Sequence, residues 1–159
     1  MYTRAGLLLI CGLLLLPAPA SADFTAFVGA TPTPSTRALR GFAAGVGLLI
    51  VGFEFEYASA NEDADSSAPS LRTGMGNVLL QTPVAIAGFQ PYFTTGAGGY
   101  RERLGERQET SVGVNVGGGV KISIVGPLRL RLDYRIVSLR GEPLHSEVHR
   151  WYAGANLKF

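Results

Sequence analysis

Cysteine is almost missing from this 159-residue chain, and Cys11 is the only one. It lies in an apolar N-terminal run, so the remainder holds no thiol, which excludes disulfide frameworks and thiol nucleophiles there. Histidine occurs twice and tryptophan once, so a histidine-rich metal centre has little to draw on. After Leu16 no apolar stretch approaches the roughly 20 residues that a membrane-crossing helix needs. Charge of one sign is also missing. Lys and Arg total 14 against 12 Asp and Glu. Arg4 is the one charged residue in 1–22, which leaves 13 basic side chains (14 less Arg4) against 12 acidic ones. Such a balance offers no electrostatic case for nucleic acid or for a strongly acidic partner. Helical periodicity and low-complexity tails are missing after residue 22 as well.

What is present begins with a three-part leader. Arg4 supplies a short positive region, Leu7 to Leu16 an apolar core broken only by Gly12, and Pro17 to Ala22 a small-residue exit. Ala20 and Ala22 have the spacing of a signal-peptidase site, with cleavage expected before Asp23. A lipoprotein signal needs a small residue before its cysteine, and Ile10 is not small, so Cys11 reads as an ordinary residue of the apolar core. Residues 1–22 are therefore expected to be a signal peptide and 23–159 a single domain. Glycine is abundant, at 21 residues. Runs such as Gly96-Ala97-Gly98 and Gly117-Gly118-Gly119 would weaken an ordinary strand, but they suit a sharply curved sheet with a crowded interior.

Residues 151–159 read Trp-Tyr-Ala-Gly-Ala-Asn-Leu-Lys-Phe. Phe159, Leu157, Ala155, Ala153 and Trp151 form one apolar set, and Lys158, Asn156, Gly154 and Tyr152 a polar or small one. A period of two makes this an amphipathic strand. The same reading finds eight strands, at about 24–30, 39–48, 50–59, 71–81, 89–102, 110–122, 127–138 and 147–159. Connections alternate between long polar loops (31–38, 60–70, 103–109, 139–146) and short links (48–49, 82–88, 123–126).

Each strand separates two faces. Val51, Phe53, Phe55 and Tyr57 oppose Glu54 and Glu56. Leu128, Leu130, Leu132, Tyr134 and Ile136 oppose Arg129, Arg131, Asp133 and Arg135. Val112, Val114, Val116 and Val120 oppose Asn115 and Lys121. Periodicity does not say which face is inside. Charge does, because Glu54, Glu56, Lys121, Arg129, Arg131, Asp133 and Arg135 must share one side, and an export leader directs the chain to the envelope. A membrane barrel turns its apolar face outward and keeps a polar lumen.

The stretch Ser111–Ile136 resembles the matching hairpin of the small outer-membrane β-barrel domain family. This is the group of eight-stranded barrels similar to outer-membrane proteins A and X and the opacity-type proteins. Gln90-Pro91-Tyr92 with Gly96-Ala97-Gly98 resembles that family's fifth strand, the triplet Asp133-Tyr134-Arg135 fits it, and residues 151–159 resemble its closing strand. The resemblance implies an all-β fold: an eight-stranded antiparallel up-and-down transmembrane barrel after a cleaved signal peptide, monomeric, in the outer membrane with both termini periplasmic. It implies contact with outer-membrane lipid and lipopolysaccharide. It also implies recognition by the barrel-assembly machinery through the C-terminal strand, with Trp151, Leu157 and Phe159 as the assembly signal. The chain ends at Phe159, where some members append a wall-binding domain, so wall anchoring is not expected.

The interior charges are expected to form a packed ion-pair network, because a desolvated lone charge is very costly and a bore of eight strands is about filled by its own side chains. An alternative is a switchable pair gating a thin pore. Asn61-Glu62-Asp63-Ala64-Asp65 lacks the ligand spacing and glycine turn of a calcium loop and reads as solvated. Arg101, Arg103 and Arg107 alternate with Glu102, Glu106 and Glu109, which reads as a loop of compensating charges, with contact to lipopolysaccharide phosphates as the alternative. His145, Ser146, Glu147 and His149 invite comparison with lipid A-modifying barrels. In an extended chain, however, Ser146 faces away from both histidines. Tyr57, Tyr92, Tyr100, Trp151 and Phe159 are expected in interfacial aromatic girdles. The expected role is structural or surface-interacting, without catalysis, cofactor or metal. A narrow channel is the first alternative, and a lipid A-modifying enzyme the second.

Overall fold

The computed structural model describes residues 20–159. Residues 1–19, which hold most of the expected leader including Arg4 and Cys11, lie outside the described residues. Eight strands follow in order: β1 Ala20–Thr31, β2 Arg37–Leu48, β3 Val51–Ala60, β4 Ser70–Gln81, β5 Phe89–Leu104, β6 Arg107–Val125, β7 Leu128–Leu139 and β8 Glu147–Lys158. Each pairs antiparallel with its sequence neighbour, and β8 pairs with β1, so the sheet closes. Closure removes every sheet edge and leaves the backbone groups paired within the wall. Ala20, Ser21 and Ala22, expected in the leader, pair with Leu48, Gly47 and Val46 at the start of β1.

The stagger of the barrel follows from its register. Starting at Val120 on β6, successive partners are Leu132, Ala153, Val28, Arg40, Ser59, Arg72, Arg101 and Thr110, which is again on β6. The row returns displaced by 10 residues (120 less 110). Such a shear obliges the strands to tilt against the barrel axis, typically by about 35–45°. A row of paired residues therefore climbs along the axis as it crosses the wall.

The wall has the polarity expected from charge. Phe53 and Phe55 on β3, Val112, Val114 and Val116 on β6, and Leu130 and Leu132 on β7 face outward and are exposed. Glu54, Glu56, Lys121, Arg129, Arg131, Asp133 and Arg135 are buried inside. On β8, Trp151 and Leu157 point out, whereas Tyr152 and Asn156 point in, and Phe159, just past the strand, is exposed.

Three expectations need correction. Residues 103–109 are not a loop. Strands β5 and β6 run on as a hairpin until only Gly105 and Glu106 separate them, and the charges reside on its two faces. The link 82–88, expected to be among the short ones, runs from the end of β4 at Gln81 to the start of β5 at Phe89 and folds into a small bridge between Ile86 and Phe89. Long and short connections thus do not alternate strictly. Finally, Tyr92 and Tyr100 are not girdle residues but are buried in the bore. Tyr92 shares the inward parity of Gln90 and Thr94 while Phe89 and Phe93 face out. Tyr57 and Trp151 do lie on the outer face, where Trp151 packs on Tyr134 at 4.2 Å and Tyr57 on Phe42 at 5.8 Å between ring centres.

Nor is the interior polar throughout. Toward the loops, Leu71, Met75, Tyr100, Val137, Leu139 and Val148 form a buried apolar cluster. Along β7 the inward parity passes from Arg135 to Val137 and Leu139. An oily layer thus caps the charged one at the loop end of the barrel.

Candidate functional site

The charged middle of the bore is a cross-linked cluster. On β7, Arg131 and Arg135 flank Asp133, and all three point inward because they are spaced by two. Strand β3 faces them across the bore with Glu54 and Glu56. Glu54 accepts from Arg131 through both terminal nitrogens, one of them at 3.2 Å, and from Arg135 Nη2 at 3.1 Å. Asp133 takes Arg135 Nε at 2.9 Å and Arg131 Nη2 at 3.3 Å. Glu56 lies 3.1 Å from Arg135 Nη2 and 3.9 Å from Arg150 Nη1.

Two phenols complete the cluster, each accepting from one arginine and donating to one carboxylate. Tyr92 accepts from Arg131 Nε at 2.7 Å and donates to Asp133. Tyr152 accepts from Arg135 Nη2 at 3.2 Å and donates to Glu56 at 3.1 Å. The Arg131 guanidinium also lies over the Tyr92 ring, 4.9 Å from its centre, in cation–π contact. Space for Tyr92 comes from Gly119, where a Cβ would strike both the phenol and the Leu132 carbonyl. Likewise a Cβ on Gly41 would strike the Phe27 ring, which stacks on Tyr152 at 4.1 Å.

A second tier lies nearer the termini. Asp23 Oδ2 holds Lys121 Nζ at 2.6 Å and Arg129 Nη2 at 3.2 Å. The remaining Arg129 donors go to Asn156 Oδ1 at 2.7 Å and Gln90 Oε1 at 3.0 Å. The gap beside Asp23, Gly47, Gln81 and Lys121 amounts to about 10 Å³, about the smallest space that admits one water.

All seven sequence-identified charges therefore belong to the bore: five meet in the central cluster, while Lys121 and Arg129 form the lower tier. Sequence reasoning missed Asp23, Tyr92, Arg150 and Tyr152 as members. The alternation on β5 and β8 was sufficient to find Tyr92 and Arg150. Asp23 was hidden because it borders the expected cleavage point.

The remaining candidates are dispersed. His149 bonds through Nδ1 to the Tyr134 hydroxyl at 2.7 Å, and its Nε2 lies 3.3 Å from Glu147 Oε1, on the outer face. His145 and Ser146 sit in the loop before β8. Among the described residues no hydrogen bond joins Ser146 to either histidine, so the serine and its would-be base are not assembled. In the acidic loop, Asp63 accepts from Ser66 N and Ser35 Oγ, each at 3.4 Å. Its hydrogen bonding with Ser66 holds that carboxyl below the usual range. Glu102 points into the bore and accepts Leu144 N at 2.9 Å.

The sequence matches no family model and no curated protein. Its fold, however, matches solved outer-membrane barrels. The N-terminal β-barrel domain of Pseudomonas aeruginosa OprF superimposes with a TM-score of 0.64 at 16% identity, covering 87% of this chain and 97% of that one. Neisserial surface protein A gives 0.61 at 18% identity, over 87% and 94%. The outer membrane enzyme PagL gives 0.53 at 12% identity, over 85% and 98%. The chain thus has the fold of the small eight-stranded outer-membrane β-barrels, a fold that one neighbour in this set uses for catalysis.

Proposed function

We propose that this protein is an integral outer-membrane barrel with a structural or surface-interaction role, closed to ions and without catalysis. One observation carries the reading, namely the inverted polarity of the wall. Arg131 and Arg135 are buried in the bore while Phe53, Phe55 and Leu132 stand exposed on the outside. In water that exterior would be an apolar surface of unusual extent. In a bilayer it is the lipid-facing band. With eight strands both termini fall at one end, which is taken as periplasmic, and the loops project outward.

Closure to ions is supported by the density of the bore. Glu54, Asp133 and Glu56 are each shared between two arginines, Asp133 and Glu56 also accept from phenols, and the apolar layer around Leu71, Met75 and Val137 lies on the path to the loops. A conducting pathway would need hydrated space and ligands that release the ion. The non-catalytic reading rests on the scattered positions of Ser146, His145 and His149. A monomer and delivery by the barrel-assembly machinery complete the reading.

The test is fractionation of cells followed by gel mobility with and without heating, and planar-bilayer recording of the purified protein. Outer-membrane recovery, heat-modifiable mobility and silent bilayers are expected. A detergent-free soluble protein would overturn the location. Steady conductance abolished by Glu54→Ala would overturn the closed bore, and a changed lipid A acylation pattern lost on His149→Ala would overturn the absence of catalysis.

A further inference from the structure

Four arginines on the outer wall stand apart from the salt-linked interior. Arg40 on β2, Arg72 on β4, and Arg101 and Arg103 on β5 point outward and are exposed. Arg72 and Arg101 are direct cross-strand partners, and Ser59 joins Arg72 to Arg40 in the same row. Like charges placed directly opposite on neighbouring strands repel. Among the described residues none of the four forms an ion pair with a carboxylate. Glu102, between Arg101 and Arg103, turns inward instead and bonds the Leu144 amide. The chain thus leaves these four arginines without ion pairs on one side of its wall, although it pairs Arg129, Arg131, Arg135 and Arg150 with carboxylates in the bore.

An open groove of about 790 Å³ adjoins the row. Arg40, Ser59 and Arg72 border it at the loop end, and Phe42, Tyr57 and Ala153 supply apolar wall further down. Because paired rows climb through the tilted wall, Arg72 and Arg101 stand nearer the loops than Arg40 does. A lipid-facing cation costs less the nearer it stands to the membrane interface. Cationic donors over an apolar furrow are complementary to a phosphorylated amphiphile. Arg40 and Arg101 are three strands apart, about 14 Å at the usual strand spacing. That span suits two phosphates at opposite ends of a disaccharide, whereas a two-chain glycerophospholipid such as phosphatidylglycerol offers one.

We propose that this face is a binding site for the lipid A moiety of lipopolysaccharide. One phosphate lies across Arg72 and Arg101 with Arg103 beside it, the other lies on Arg40 and Ser59, and an acyl chain lies in the groove between Phe42, Tyr57 and Ala153. The inference rests on the outer-membrane reading, with the loop end facing outward.

The test uses the full chain refolded in neutral detergent and titrated with bisphosphorylated lipid A, monophosphoryl lipid A, phosphatidylglycerol and the soluble polyanion sucrose octasulfate. Bisphosphorylated lipid A is expected to bind tightest. Arg72→Ala with Arg101→Ala should weaken it roughly tenfold or more, since each guanidinium forms charge-assisted bonds to phosphate. Lys158→Ala, at the other end of the barrel, should leave it unchanged. Heat-modifiable mobility verifies that each variant is folded, and Arg72→Gln with Arg101→Gln repeats the test with less change of shape. Undiminished binding by both folded double variants would overturn the site. Phosphatidylglycerol bound as tightly would overturn lipid A as the occupant, and sucrose octasulfate bound as tightly would overturn the role of the groove. Failure of the outer-membrane reading would show separately, as unchanged chain missing from the outer-membrane fraction.

Discussion

Arg131 on β7 and Glu54 on β3 meet across the bore, wholly buried, with the carboxylate gripped by both terminal nitrogens of the guanidinium. Removing one partner of a buried pair leaves an uncompensated charge, a loss of about 3–5 kcal/mol. Arg131→Ala and Glu54→Ala should each destabilise the barrel by that order. The double variant should lose less than the sum, because the two residues share one interaction. Urea titration of unfolding in lipid vesicles, followed by tryptophan fluorescence of Trp151, provides the cycle. Strictly additive losses would show that the pair is not coupled.

Gly119 and Tyr92 make a second linked pair. Valine at 119 has no room beside the phenol or the Leu132 carbonyl, and overpacking of this kind costs about 1–3 kcal/mol. Gly119→Val should therefore lower the unfolding midpoint. In a Tyr92→Ala background the added cost of Gly119→Val should shrink, because the ring it strikes is gone. An equal cost in both backgrounds would assign the clash to the backbone alone.

Leu132 tests which solvent surrounds the wall. It is exposed on the outside of β7, so in water Leu132→Lys would be harmless. Facing lipid, a lysine costs up to about 2–4 kcal/mol near mid-bilayer. Folding yield into vesicles should fall for Leu132→Lys and hold for Leu132→Val. Unchanged yield for the lysine variant would contradict lipid contact.

Phe159 separates assembly from stability. Its ring is exposed, and its described backbone bond is to Ala22 O. Deleting Phe159 should cut the amount reaching the outer membrane in cells several-fold while leaving refolding into detergent almost unchanged. Loss of both would make the residue a stabiliser of the fold rather than an assembly signal.

Much of this architecture is legible in the chain because a strand writes its two faces at alternate positions. The parity of Glu54 and Glu56, or of Arg129 through Arg135, already implies one shared charged side, and the last nine residues already imply an amphipathic closing strand. Where the alternation was not followed, the reading failed. Tyr92 and Tyr100 look like girdle aromatics by type, yet their positions beside Phe93 and Arg101 place them inward. The charged segment 103–109 looks like a loop by composition, yet a hairpin tolerates charge on its outer face and continues through it.

The sequence by itself determined that there would be strands with a charged face and an oily one, because a period of two is a local property of the backbone. Which strand meets which was settled by closure. Only in the closed barrel do Glu54 and Arg131 meet, 77 positions apart, or Asp23 and Arg129. The external arginines likewise become a row only through the register that sets Arg72 opposite Arg101. Such contacts depend on stagger, a property of the whole ring of hydrogen bonds that no single segment encodes.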